Sequence, residues 1–544
     1  MRLAACIFLT ALGAWGQTAP PNLTEPKFPL PATLPPFQLP ARVGVFSETR
    51  LSLQDVVAMV LANNRDVEML RIDERRAGYN IIAARGAFDT RFGFDGTHTR
   101  QIVPVASVLG GAANGKLTQT TLNVNPYVAG NSPWGGTEYR LDFNASKNST
   151  NSGFATLNPQ FPTAATLSLT QPLWRGLLFD ANRYQVRVAQ KNRGISTAQL
   201  RQHIADDVTQ AVQVYWELDY AYRNLQVQTE AVGLARQQDE SNRRQVEQGI
   251  LAAVDVVATH TQLATFEQNV YAAQEAVTRA ENLLKTLILP DRHHPAWSSA
   301  LIPTTAAGEV AELDVRTAVD AAVRARPEIE QVRLSGEINQ LEVRLNRDET
   351  RPQVNLVGSF AASGLAGLAT PQGPNPLAAL IPGFSTAPPA LLVGGFGQSL
   401  NNLYSGYFPT VQVGVRVSLP LRNRTAQANL ESSIAAGQRI GVQRQQVEQA
   451  IEAEVRNTLQ ATESARARVQ AAVLARQSAE EQYQSEQRQF RAGTTSVFLV
   501  LQRQTDLIAA RSRELRARAD LNEAAPLRDR AIGTTLGANN IVVQ

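Results

Sequence analysis

Five histidines, one cysteine and scattered carboxylates are the residues that could do chemistry in this chain, and none is spaced to do it. His98, His203, His260, His293 and His294 show no metal-ligand spacing. His293 and His294 are adjacent in a polar linker and read as solvated. Asp206 and Asp207 read as a wet helix face and not as an acid–base pair. No phosphate-binding loop, no Gly-x-Ser-x-Gly elbow and no cysteine nucleophile occurs. The expectation is therefore no catalytic residue, no metal site, no cofactor and no enzyme.

What the chain does specify is length. Residues 173 to 289 run for 117 residues without a proline, between Pro172 and Pro290. Apolar residues recur there at steps of three and four, as in Leu200, Ile204, Val208, Val212 and Trp216, the period of an amphipathic helix. The one break is Gln248-Gly249-Ile250-Leu251. The stretch reads as a helix of about 67 residues, a tight turn and a shorter returning helix. At ~1.5 Å per residue the first arm is about 100 Å long, far beyond a globular helix.

Met1-Arg2 is followed by a short apolar run, Leu3 to Leu12, and by small residues up to Gly16. This is the pattern of a secretory signal, too short to span a bilayer. Cleavage near Gly16 leaves Gln17 as the first mature residue and removes Cys6, the only cysteine. Leu3-Ala4-Ala5-Cys6 comes too early for a lipoprotein box, and lipidation is not expected. No later window of 18 apolar residues predicts a transmembrane helix. The formal charge of +4, from 52 basic against 48 acidic residues, is the spread charge of solvated helices and not a nucleic-acid footprint.

A proline-rich arm, residues 17–50, precedes two halves with the same order of elements. The first (51–290) opens with a helix from Leu51 to about Ala87 through Asn64-Arg65-Asp66-Val67; the second (313–525) passes through Arg326-Pro327-Glu328-Ile329. Alternating segments follow at about 88–101, 119–128, 137–148 and 164–174, and at about 352–361 and 409–419. Long helices come next, at 175–289 and 423–524, the second turning at Ala492-Gly493-Thr494-Thr495-Ser496. Residues 291–312 link the halves and 526–544 form a tail.

In Val411, Val413, Val415 and Val417 apolar residues alternate with Gln412, Gly414 and Arg416; Tyr139, Leu141 and Phe143 alternate with Arg140, Asp142 and Asn144. A half-buried strand of a soluble sandwich alternates the same way. The export signal, the aromatics near strand ends and the charges on the polar face favour a transmembrane barrel. All helices must lie on one side of the membrane, so each half crosses an even number of times. The inner hairpin, 119–148, either joins the barrel or extends beyond it. Four to six strands cannot close a barrel alone, the usual minimum being about eight, so several chains must share one.

The signal, the duplicated plan, the phrase Gln171-Pro172-Leu173-Trp174-Arg175-Gly176 and the two Gly-centred turns resemble the TolC family of outer-membrane efflux channels, over roughly residues 50 to 535. The resemblance implies a mainly α fold with membrane β-barrel strands. Three copies would share a twelve-stranded barrel in outer-membrane lipid and a twelve-helix periplasmic tunnel with an equatorial band. It implies a passive exit duct of a tripartite efflux or type I secretion system, working with a periplasmic adaptor and an inner-membrane transporter. The docking turns would be Gly249-Ile250-Leu251-Ala252 and Gly493-Thr494-Thr495-Ser496, and the aperture would involve Asp255, Leu499 and Gln502. Thr495 stands where the family commonly has arginine, and Leu499 and Gln502 where it has aspartates, so apolar packing is the expected closure. A periplasmic coiled-coil adaptor or scaffold is the alternative, and a soluble binding protein a third reading.

Overall fold

The computed structural model describes residues 35–106, 115–308, 310–370 and 387–541. The expected signal sequence with Cys6 and residues 17–34 of the arm lie outside the described residues, as do 371–386 of the long loop and 542–544 of the tail.

The repeat is explicit in the helices. The first half has α1 (Leu53–Asn63), α2 (Arg65–Arg85), α3 (Ala181–Glu247, 67 residues) and α4 (Ala253–Ile288, 36 residues). The second has α5 (Val315–Ala325), α6 (Pro327–Glu349), α8 (Arg424–Arg491, 68 residues) and α9 (Val497–Ile532, 36 residues), with the short α7 (Phe396–Tyr404) before α8 and α10 (Thr535–Ala538) at the end. Each opening helix is broken in two where one was expected. Asn64 leaves the helix and caps α2 with its side chain, accepting from Asp66 N and Val67 N. Arg326 is extended before Pro327, because a residue preceding proline is driven out of the helical region.

The helices lie side by side. Near the strands the layer runs α2–α3–α6–α8, and farther away α4–α3–α9–α8. Eighteen of the α3 residues are buried against eight of α8, which makes α3 the centre of the layer and α8 one edge. Helix α9 was expected to stop before Pro526 but continues to Ile532. The residues beyond the proline are held: Arg528 donates to Ala311 O at 2.8 Å, Arg530 pairs with Glu454 at 2.6 Å, and Ile532 is buried beside Val455. Tertiary contacts outweigh the lost helical hydrogen bond.

Six strands form one antiparallel sheet in the order β2-β3-β4-β5-β7-β8: Arg91–Pro104, Lys116–Asn131, Glu138–Thr150, Leu157–Pro172, Gln353–Ala369 and Phe408–Ser418. β5 starts at Leu157 and not at 164, and β7 reaches Ala369 and not 361, so the sheet is taller than expected. The inner hairpin is inside it. The resemblance implies four strands per chain; six are paired here, because β3 and β4 bond lengthwise to β2 and β5 as well as to each other. The sheet is open, with β2 and β8 as its edges.

At mid-length, β1 (Ser47–Leu51) pairs in parallel with β6 (Ser299–Pro303). Tyr215 of α3 fixes both: its hydroxyl donates to Leu51 O and accepts from Thr304 N and Thr305 N. The described part of the proline-rich arm is tied to α4. Gln274 donates to Pro40 O, Phe37 meets the Tyr271 ring, and Arg42 pairs with buried Glu281 at 2.8 Å. Glu281 also holds Lys285 at 2.7 Å, both side chains 1% exposed, and accepts from Leu301 N. Removing one member of such a group strands the others in low dielectric, at a cost of about 3–5 kcal/mol. Glu281→Ala should lower the denaturation midpoint accordingly and open residues 35–46 to protease, whereas Glu281→Leu with Lys285→Met should recover most of the midpoint.

Candidate functional site

The two hairpin turns are built alike, bond for bond. In the first, Gly249 has φ +75° and donates to Val246 O at 2.9 Å, while Ile250 N reaches Gln245 O at 2.8 Å. In the second, Gly493 has φ +74° and donates to Phe490 O at 3.0 Å, while Thr494 N reaches Gln489 O at 3.0 Å. Both are Schellman ends, whose left-handed residue favours glycine. Five residues (248–252 and 492–496) then lead to the next helix, entered through extended Ala252 and Ser496.

Aligning the glycines shows what each tip presents. Val254 and Phe498 are equivalent and both well exposed, and Asp255 and Leu499 are equivalent on the next position. Ile250 and Val257 extend the apolar surface of the first tip. The second tip is hydroxylic: Thr494 donates back to Gln489 O, Thr495 bonds Glu486, and Ser496 is exposed. Leu251 is half-buried and Ala252 exposed. The exposed apolar residues just beyond the turns were missed from sequence; matching the two glycines would have found them.

Asp255 and Leu499 lie at one level of the molecule, and Gln502 sits about one helical turn farther from the tip. Gln262 of α4 donates to Thr505 of α9 at 3.0 Å, and Asp255 and Leu499 lie seven and six residues tipward of that bridge, or roughly 10 Å. Asp255 is half-buried in the first turn of α4, and no hydrogen bond or ion pair joins it to Leu499 or Gln502. Just above, Asp239 accepts from Thr259 at 2.7 Å and lies 3.5 Å from His260 Nε2, with Arg243 completing the group.

The other candidate chemistry falls into ordinary places. His98 is on β2; His293 and His294 make local bonds with Arg292 and Ala296 N. Among the described residues no group of His, Cys, Asp or Glu is arranged to hold a metal, and no helix is long and apolar enough to cross a membrane. Asp206 and Asp207 are not a solvated face. Asp206 pairs with Arg530, and Asp207 Oδ2 is buried without a partner. On the sheet, Arg140 grips Asp142 through two nitrogens at 2.8 Å and stacks on Tyr127, all on the polar face.

Two ~100 Å helices end in matched turns at one end and in a sheet at the other. The model of the outer membrane efflux proteins matches residues 139–288 and 318–528. The chain belongs to the outer membrane efflux protein family. The family match makes it an outer-membrane efflux channel with a periplasmic extension. No match is found among curated proteins. Solved structures of the same fold include the Campylobacter jejuni CmeC outer membrane channel (14% identity, 93% of this chain and 94% of that one, TM-score 0.60). The outer membrane protein VceC of Vibrio cholerae is similar at 16% identity over 88% and 96%, with TM-score 0.60. The open state of the Neisseria gonorrhoeae MtrE outer membrane channel is similar at 14% over 89% of each chain, with TM-score 0.57.

In this efflux protein burial pushes the Asp207 carboxyl up to about 6, with Asp66 and Asp206 adding to the shift and His203 opposing it. A carboxyl raised above its ordinary 3.8 binds its proton more tightly folded than unfolded, so stability falls as pH rises between those values. Thermal midpoints measured from about pH 4 to pH 7 should decline with pH, and Asp207→Asn should flatten that slope and raise the midpoint at neutrality.

Proposed function

We propose that three copies of this chain form a passive exit duct that completes a tripartite efflux pump or a type I secretion system. The observation that carries this reading is the coincidence of unfinished edges. The helix layer ends at α2 and α4 on one side and at α8 on the other, and the sheet ends at β2, after α2, and β8, before α8. Exposed Met69, Ile72, Tyr79 and Ile82 mark the α2 edge, and Val442 and Leu474 the α8 edge. Twelve helices close a tunnel when each of three copies supplies four.

The tips at Gly249-Ile250-Leu251-Ala252 and Gly493-Thr494-Thr495-Ser496 are the docking surface for a periplasmic adaptor. The apolar Ile250, Val254 and Phe498 favour a partner that buries them, with the threonines and Ser496 offering hydrogen bonds. An inner-membrane transporter would supply the energy. Three copies of Asp255 around the axis attract cations and repel anions, while Leu499, with no salt-bridging residue at its position, closes the aperture by apolar contact. A scaffold lacking a membrane face is disfavoured by the exposed valines of β8.

The protein should need detergent for extraction and run as a trimer; a freely soluble monomer would refute the reading. In a planar bilayer, Asp255→Ala should weaken block by multivalent cations added from the periplasmic side, and unchanged block would remove that role. Leu499→Ala should raise the resting conductance if apolar contact holds the aperture shut.

A further inference from the structure

The sheet register traces a row that crosses every strand. Val411 pairs with Phe360, Phe360 with Leu167, Leu167 with Leu141, Leu141 with Val128, and Val128 with Phe92. Five of these six side chains are between 40% and 74% exposed. The next row lies on the opposite face and is Gln412, Ser359, Ser168, Arg140, Ala129 and Arg91. At this level one face is therefore apolar and the other polar, through β3 and β4 as in the other strands; farther from the helices the apolar face gives way to His98, Leu122 and Lys147.

We infer that the assembled barrel has eighteen strands, six from each chain, with β3 and β4 crossing the membrane beside the rest. Two observations carry this. A hairpin projecting into water would have no reason to keep Leu141 and Val128 in line with Phe360 and Val411; in lipid that row is the outer surface. The β3–β4 turn, residues 132–137, sits at the helix end of the sheet, where Gln171 binds Gly135 O and Thr137. Both strands thus span the full height, as short periplasmic turns require.

The occupant of each free edge is a second copy of this chain. β2 starts at the helix end and β8 finishes there, so β8 of one copy and β2 of the next run antiparallel, and both edges vanish when the third copy closes the ring. A barrel of this size encloses an open aqueous channel, which leaves the tip aperture as the constriction.

The inference rests on the membrane assignment proposed above, and cysteine labelling separates the two. In a Cys6→Ser background, single Val128→Cys, Leu141→Cys, Asn144→Cys and Phe360→Cys variants are treated in intact outer membranes with a water-soluble and a lipid-soluble maleimide. Loss of aqueous labelling at 128, 141 and 360, with labelling kept at 144, is expected. Aqueous labelling at 128 and 141 with 360 protected overturns the six-strand contribution and leaves the membrane assignment standing. Aqueous labelling at 360 as well removes the membrane assignment. If the first two variants fail to reach the membrane, Val124→Cys on β3 and Phe143→Cys on β4, on the same face, give the same comparison.

Discussion

A β-sheet in hydrocarbon cannot keep an unpaired edge, because no water is present to bind its free N–H and C=O groups. That constraint organises the rest of this molecule. A six-stranded sheet does not close on itself, so the missing partners must come from other copies. The duplicated chain makes this workable, since its sheet and its helix layer end along the same two lines. One set of contacts between neighbours then completes both layers.

The helices answer a second constraint, that a wall one helix thick has two wet sides and little core. Helix α3 lies between neighbours along its whole length and carries the large buried residues Val208, Tyr215 and Leu218. Helix α8 holds mainly small residues and charges, with i,i+4 pairs such as Glu452–Arg456 and Arg444–Glu448 on its exposed faces. Such pairs contribute only about 0.3–0.5 kcal/mol each. The thickest packing is therefore at mid-length, where α1, β1, β6 and the proline-rich arm add a layer around α3 and α4.

Much of this was legible in the sequence, for physical reasons. A 3.6-residue period sustained over 67 residues, punctuated by proline and glycine, leaves little freedom in placing α3, α4, α8 and α9 or their turns. The alternation of Val411 to Val417 and of Tyr139 to Ala145 gave the strands and their two faces. What stayed hidden depends on partners distant in the chain. β1 and β6 are five residues each and do not alternate; they are strands because Tyr215 and each other's backbones hold them. Helix α9 passes Pro526 because Arg528 and Arg530 are anchored beyond it. Asp206 reads as solvated from sequence because Arg530, its partner, lies 324 residues away. The hairpin could not be assigned, since its alternation fits a barrel wall and an external ribbon equally; only pairing on both sides distinguishes them.

The candidate gate was the least legible part, and the structure gives the reason. Residues at the tips touch few others: Cβ atoms added at Gly249 or Gly493 would meet nothing within 4 Å, and Ile250, Val254 and Phe498 are exposed. A pattern search finds residues held by packing; the turn residues are not, although Val256, Val497 and Val500 just behind them are buried. The same sparseness suits a gate. Local opening draws on regions with few buried contacts, and the buried group of Asp239, Thr259 and His260 lies just above. On the proposed gating, the tips would separate while the helices behind them stay paired. On the proposed docking, a partner's binding energy would act on the entrance through the turns without unfolding the wall, since ligands shift an equilibrium only through contacts that differ between its states.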